Sequence, residues 1–254
     1  MNPIAKIARR AQGLADLLPV HWRLPLRYRV QNLIGGLEPE FSLLPSIVPR
    51  DRIALDIGAN MGVYSYALSS LAMHVHAFEP QAACCDVVSS WARRNGRRVT
   101  VHNAGVGSEA GELVLHVPVH NGKPVGTRAT FLPSGDPGEE IRVPVITIDG
   151  LGLDRVGFVK IDVEGFEYDV LLGAVHTLRQ DHPAMLIELD RNRHERATFE
   201  RVIVLLSELG YDANVWQKGR LLPCHSRVWE MSEHHYNFVF LPRDQAVNAD
   251  KQAP

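Results

Sequence analysis

Residues 53–62 read Ile53-Ala54-Leu55-Asp56-Ile57-Gly58-Ala59-Asn60-Met61-Gly62, a short apolar run that stops at glycine just ahead of a segment with helical spacing. Gly58 and Gly62 mark a tight turn from a buried strand into a helix. Such a turn either receives part of a ligand or serves close packing, and the residues that follow decide which. The spacing is not the G-x-G-x-x-G of a dinucleotide fold, because Asn60 stands where the middle glycine would let the backbone approach a pyrophosphate. No Gly-Lys-Ser/Thr follows either, which excludes a P-loop.

On both sides of the turn, strand and helix alternate. Asn60–Ala72 and Gln81–Gly96 carry helical spacing, and 73–80 and 98–107 read as strands with their exits. After Gly111–Val119 and Glu140–Asp149, two β-rich segments around a Gly/Pro-rich excursion (Asn121–Gly138) expected to form a mobile loop over a site, come a core strand at 156–165 and a helix at 166–181. A strand at 183–190, a helix at 197–211 and an antiparallel pair at 212–219 and 236–242 complete the pattern, which argues for a parallel sheet flanked by helices. The organisation expected is a helical extension (1–50) interrupted by prolines, one α/β domain (51–242) and a polar, disordered tail (243–254).

The chain has 254 residues, 45% hydrophobic and 22% charged, with a formal charge of −2, the composition of a soluble globular protein. That charge gives no global drive toward nucleic acid. Before Glu38, Lys6, Arg9, Arg10, Arg23, Arg27 and Arg29 face only Asp16, and the apolar Ile4, Ile7, Leu14, Leu17 and Leu18 lie among them. This segment is expected to pack on the domain or to touch an anionic membrane surface. No apolar run reaches the ~18 residues of a membrane span, and Pro19 and Pro25 break up any signal-peptide core. Cys84, Cys85 and Cys224 show no disulfide or zinc spacing and read as small buried hydrophobes in a reducing compartment, so a cytoplasmic protein, peripheral to the membrane if anything, is expected.

Glu79 gives the glycine turn its meaning. It ends the second strand about twenty residues after Gly58, where a carboxylate can accept both hydroxyls of a ribose. A nucleoside without a pyrophosphate fits this pattern, and S-adenosylmethionine supplies one together with a methionyl ammonium that a carboxylate such as Asp56 would favour. The plainer readings are a capping Glu79 before Pro80 and a turn-forming Asp56 at a strand exit.

The stretches LDIGANMGVYS, VHAFEPQ, VHNAGVGSEAGELVLHV, VPVITID, FVKIDVEGFEYDVLLGAVHTL, PAMLIELD and LLSELGY stand in the order found in FkbM-type methyltransferases, a branch of the seven-stranded, Rossmann-like class I fold that uses S-adenosylmethionine. The chain resembles that family from about Ile53 to Leu241, with KIDVEGFE the most specific block. The resemblance implies that Asp56, Gly58, Ala59, Asn60 and Gly62 line the methionyl side, that Glu79 and Pro80 take the ribose, and that the loop from Asn103 and Ala104 meets the adenine. Gly105-Val106-Gly107-Ser108 stands where the family usually has Ala-x-Gly-Asp, which leaves Asn103 as the polar candidate on that loop.

Ligands of open α/β sheets bind beyond the carboxyl ends of the strands, where this chain has Asp162, Glu164 and Glu188. Asp162, which also borders the cofactor, and Glu164 are the first candidates to orient and deprotonate an acceptor hydroxyl, proton removal being coupled to transfer because an alcohol is a weak acid. Lys160 shares a side of its strand with Asp162. Each has a plainer reading: a Lys160–Asp162 ion pair, helix capping by Glu164, sheet-end support by Glu188, and a structural Glu167. Among twelve histidines, His120 and His182 are alternative bases. No metal site shows in the spacing, although magnesium on Asp162 and Glu188 stays open. The expected activity is O-methylation of a small-molecule, sugar or secondary-metabolite hydroxyl. Its rivals are an RNA methyltransferase, opposed by the net acidity of the chain after residue 37, a non-catalytic nucleoside-binding module, and a nicotinamide dehydrogenase.

Overall fold

The alternation of strand and helix builds a parallel sheet whose topology fixes the site. The computed structural model describes residues 18–120, 123–132, 137–193, 195–224 and 227–243, with backbone alone at positions 120, 123, 124 and 127. The expectations for Ile4, Lys6, Ile7, Arg9, Arg10, Leu14, Asp16, Leu17 and the tail beyond Arg243 therefore fall outside the described residues.

Strands β1 (Ile53–Ile57), β2 (His74–Phe78) and β3 (Val99–His102) run parallel; β4 (Gly105–Val106), β5 (Gly111–His120), β6 (Lys123–Pro124) and β7 (Gly138–Ile146) follow as a separate small sheet. The chain then returns through β8 (Val156–Ile161) and β9 (Ala184–Glu188) to β10 (Tyr211–Gln217), β11 (Arg220–Pro223) and β12 (Asn237–Pro242). The main sheet has the order β11-β10-β12-β9-β8-β1-β2-β3. It holds eight strands where seven were expected. The addition is β11, which folds back on β10 through Lys218 and Gly219, both at positive φ as a two-residue hairpin turn requires.

The chain builds outward from β1 through β2 and β3, then resumes on the other side of β1 with β8 and β9. Strand order therefore reverses between β1 and β8, and a crevice opens beyond their carboxyl ends. One face of the sheet buries Leu55, Ile57, Val159, Ile161, Met185 and Phe238 under the helices at 167–181 and 196–208. On the other face, Ala54, Phe158, Leu186 and Val239 pack against Leu43, Leu44 and Val48 of the N-terminal segment. Its helix Val20–Leu33 runs through Pro25 and inserts Leu24 against Val87, Val88 and Trp91. This segment is thus part of the core on that side.

The small sheet pairs β5 with β7 from Gly111↔Val145 to Pro118↔Gly138. Leu115, Val117 and Val143 form its own small core, against which Ala129 and Phe131 of the excursion pack. In its described part the excursion is therefore a packed wall.

Candidate active site

Two glycines make the first turn possible. Gly58 and Gly62 have φ of 80° and 83°, and Asn60 between them adopts 48°. A Cβ at Gly58 would lie 1.8 Å from the carbonyl oxygen of Asp162, and one at Gly62 would lie 2.5 Å from Cγ2 of Val88. Both glycines thus serve packing as well as conformation, closing β1 onto the exit of β8 and onto the helix Ala82–Arg94. The ligand-facing groups come from their neighbours.

Glu79 organises that turn. One of its oxygens accepts the Asn60 N–H at 2.8 Å, and the other accepts the Gln81 N–H at 2.9 Å and the Gln81 side-chain amide at 3.1 Å. A carboxylate has about four acceptor positions, so with three used about one remains for a ribose hydroxyl. Burial raises its pKa despite these bonds. Asn103 donates to the carbonyls of Glu79 and Pro80 at 3.1 and 2.9 Å and so braces the turn. Ser108 donates to Asp169.

A cleft of about 560 Å³ opens between these groups, lined by Gly58, Asn60, Glu79, Pro80 and Gln81 on its polar side. Its apolar end is formed by Ala104, Val106, Leu115, Ala129 and Phe131. Gly105 lets the Phe131 ring approach, because a Cβ there would lie 2.5 Å from the ring. An apolar end beside a carboxylate is an arrangement that can take a nucleoside. Phe131 and Leu115 were missed in the sequence, since a wall brought in from the small sheet leaves no local pattern; Gln81 was missed although it directly follows Glu79 and Pro80.

A second cleft, of about 770 Å³, shares Gly58, Asn60 and Asp162 with the first and continues under the N-terminal segment. Asp56, Ala59, Met61, Tyr64, Lys160, Glu38 and Arg27 line it. Asp56 is buried, accepts the Ser65 hydroxyl, and is pushed up to about 6 by desolvation. The Tyr64 hydroxyl donates to Glu38 at 2.6 Å, and the Asn237 amide donates to the same oxygen at 3.0 Å.

Lys160 is fully buried beneath this rim, 3.7 Å from Asp162 and over the Tyr64 ring. Burial alone would lower its pKa, but Asp162, Glu38, Glu188 and Asp56 outweigh it and the net direction is upward. Asp162 keeps 32% of its side chain exposed at the junction of the clefts. Desolvation raises its pKa while Lys160 opposes the rise. Glu188 is pushed up to about 8, first by burial and then by Asp162. Burial thus favours the neutral form of Glu188, and Asp162 is the carboxylate positioned by the ammonium.

Glu164 lines the first cleft at φ 57°, with its carboxylate tied to Arg193, and burial raises it to about 7. The turn-capping role weighed for Glu164 belongs to Glu167, whose carboxylate accepts the Gly165 N–H at 3.1 Å. His182 does not join the site. It caps the helix Val175–Asp181 ahead of β9, at the amino end of the strand whose carboxyl end carries Glu188. Five residues at about 3.3 Å each separate those ends. The side chain of His120 lies outside the described residues. No group of three or more His, Cys, Asp or Glu among the described residues is arranged to hold a metal, and Cys84, Cys85 and Cys224 are buried free thiols.

Comparison with known proteins gives consistent matches. The model of the methyltransferase FkbM domain matches residues 56–213. The hexuronic acid methyltransferase AglP of Haloferax volcanii is 24% identical over 196 residues, covering 76% of this chain and 77% of that protein. The crystal structure of methyltransferase FkbM from Methylobacillus flagellatus KT superposes with a TM-score of 0.50 at 19% identity, covering 94% of this chain. This chain spans 59% of the length of that structure.

Proposed function

The chain belongs to the FkbM methyltransferase family, and from that premise we propose that it transfers the methyl group of S-adenosylmethionine to a hydroxyl of a sugar-class small molecule. The observation that carries this reading is the junction at Gly58, Asn60 and Asp162, where the cleft lined by Glu79 and apolar residues meets a carboxylate-lined one. Glu79, Ala104 and Phe131 would hold the nucleoside, and Asp56 with the Gly58–Asn60 turn would hold the methionyl end. Bound there, the cofactor supplies an electrophilic methyl group.

The chain's own contribution is positioning and proton removal. Asp162 accepts the acceptor's hydroxyl proton as the oxygen attacks. Lys160 holds that carboxylate in place and limits the rise in its pKa. Glu188, protonated, keeps a second negative charge away from it. The N-terminal segment supplies Arg27, Gln31 and Glu38 to the lining of the acceptor-side cleft.

The acceptor class rests on AglP, described as a hexuronic acid methyltransferase, and on the hydroxyl-accepting rim. Glu38, Asp56 and Asp162, set against Arg27 and Lys160 in the same cleft, offer acceptors for sugar hydroxyls and leave no positive excess for a polyphosphate such as RNA. The test is incubation with labelled cofactor and a panel of neutral hexoses, hexosamines, hexuronates, glycolipids and an RNA transcript, read by mass spectrometry. Gain of one methyl on a sugar supports the reading. Label on RNA with none on any sugar overturns it.

A further inference from the structure

Away from the two clefts, the helix Val20–Leu33 turns a second face to solvent. Its sequence contains His21, Arg23, Arg27 and Arg29 and no acidic residue. Trp22, Arg29 and Leu33 stand at i, i+7 and i+11, which places them on one stripe. Trp22 is 53% exposed and Leu33 86%.

Beside that stripe lies an open cleft between this helix and the end of the helix Ala82–Arg94, lined by Arg29, Arg94 and Arg97 with His21 and Trp22 at its rim. Trp91, nearly fully buried, forms the floor and meets the Tyr66 ring at a tilt, 5.0 Å between centroids. No carboxylate lies among the described residues of the lining, and none of the three arginines has an ion-pair partner among the described residues. Clustered guanidiniums repel one another, so a surface that gathers them gains from an anion.

We propose that this face docks on an anionic phospholipid surface, with Arg29, Arg94 and Arg97 on lipid phosphates and Trp22 and Leu33 at the headgroup boundary. A free phosphate would account for the arginine cleft alone. The apolar residues extend along a helix about 20 Å long, and a bilayer interface accepts both halves of the pattern: tryptophan and leucine enter the boundary region while arginine meets phosphate. The other side of the same helix presents Arg27 and Gln31 to the acceptor-side cleft, so docking by the outer face leaves that cleft uncovered. The inference does not depend on the identity of the methyl acceptor.

The experiment is co-sedimentation of the full chain with vesicles of phosphatidylcholine, with or without phosphatidylglycerol, compared with the Arg29→Gln/Arg94→Gln/Arg97→Gln variant. Binding is expected only with phosphatidylglycerol, weakening as salt rises. The triple variant should bind about 10²-fold more weakly, each basic residue near an anionic surface contributing about fivefold. Its melting temperature and S-adenosylhomocysteine affinity should match the parent. The blue shift of tryptophan emission on vesicles should disappear in Trp22→Phe. Equal sedimentation of parent and triple variant would overturn the proposal, as would failure of the parent to bind phosphatidylglycerol vesicles. Stabilisation by inorganic phosphate without vesicle binding would likewise overturn it in favour of a soluble anion.

Discussion

At the scale of single residues, the account turns on how one lysine is shared among several carboxylates. If Asp162 takes the acceptor's proton, Asp162→Asn should retain S-adenosylhomocysteine binding and lose turnover by about 10²-fold or more; single-turnover kinetics beside calorimetry checks both halves. Glu188 makes a separate prediction about pH. Its folded-state pKa of about 8 lies above the ordinary carboxylate value, so the folded state binds the extra proton. Stability from this group is full below the unfolded pKa and is lost as pH rises through about 8. Glu188→Gln, which resembles the protonated form, should therefore raise the melting temperature at about pH 9 and leave it nearly unchanged at about pH 4. A melting curve for the variant that shifts equally at both pH values would remove Glu188 from the shared-proton picture. Lys160, Asp162 and Glu188 could all be found in the sequence because they end predicted core strands. Glu38 could not: it stands well before the first strand, and only packing of the N-terminal segment carries it to Tyr64.

At the scale of elements, the glycine turn is where backbone geometry and site coincide. Gly58→Ala would force a side chain into positive φ and against the Asp162 carbonyl, so it should lower stability by at least about 1–3 kcal/mol and weaken S-adenosylhomocysteine binding with it. Gly96, at φ 57° with open space around its Cβ position, provides the control. Its alanine variant should cost no more than about 1–2 kcal/mol and leave ligand affinity intact. Differential scanning calorimetry with and without ligand separates the two. The strands and helices around this turn were legible because buried parallel strands are continuous apolar runs and the helices between them repeat at 3.6 residues. The small sheet was legible only as β-rich segments, since the β5–β7 register is set across a long excursion. The strand β11 was passed over because its Arg220-Leu221-Leu222-Pro223 run is too short to show alternation. The exchange of roles between Glu164 and Glu167 depends on the left-handed conformations at Glu164 and Gly165, which residue spacing does not convey.

At the scale of the whole molecule, the N-terminal segment joins the core to the acceptor-side cleft. Leu24 is 0% exposed, wedged against the helix Ala82–Arg94, and Leu24→Ala should cost about 2–5 kcal/mol. It should also open residues 20–37 to limited proteolysis ahead of the rest of the chain; uniform protection would show that the segment is not held by this contact. Among the described residues no helix is long and apolar enough to cross a membrane. The claim on which everything else rests is that the cleft between Glu79 and Phe131 receives the nucleoside of S-adenosylmethionine. Isothermal titration with S-adenosylhomocysteine, set against NAD and repeated on Glu79→Ala, tests it most directly. The account predicts saturable binding of S-adenosylhomocysteine, none of NAD, and a loss of about 1.5–3 kcal/mol in the variant, the scale of a hydrogen bond to a charged group. Heat from NAD with none from S-adenosylhomocysteine would contradict it.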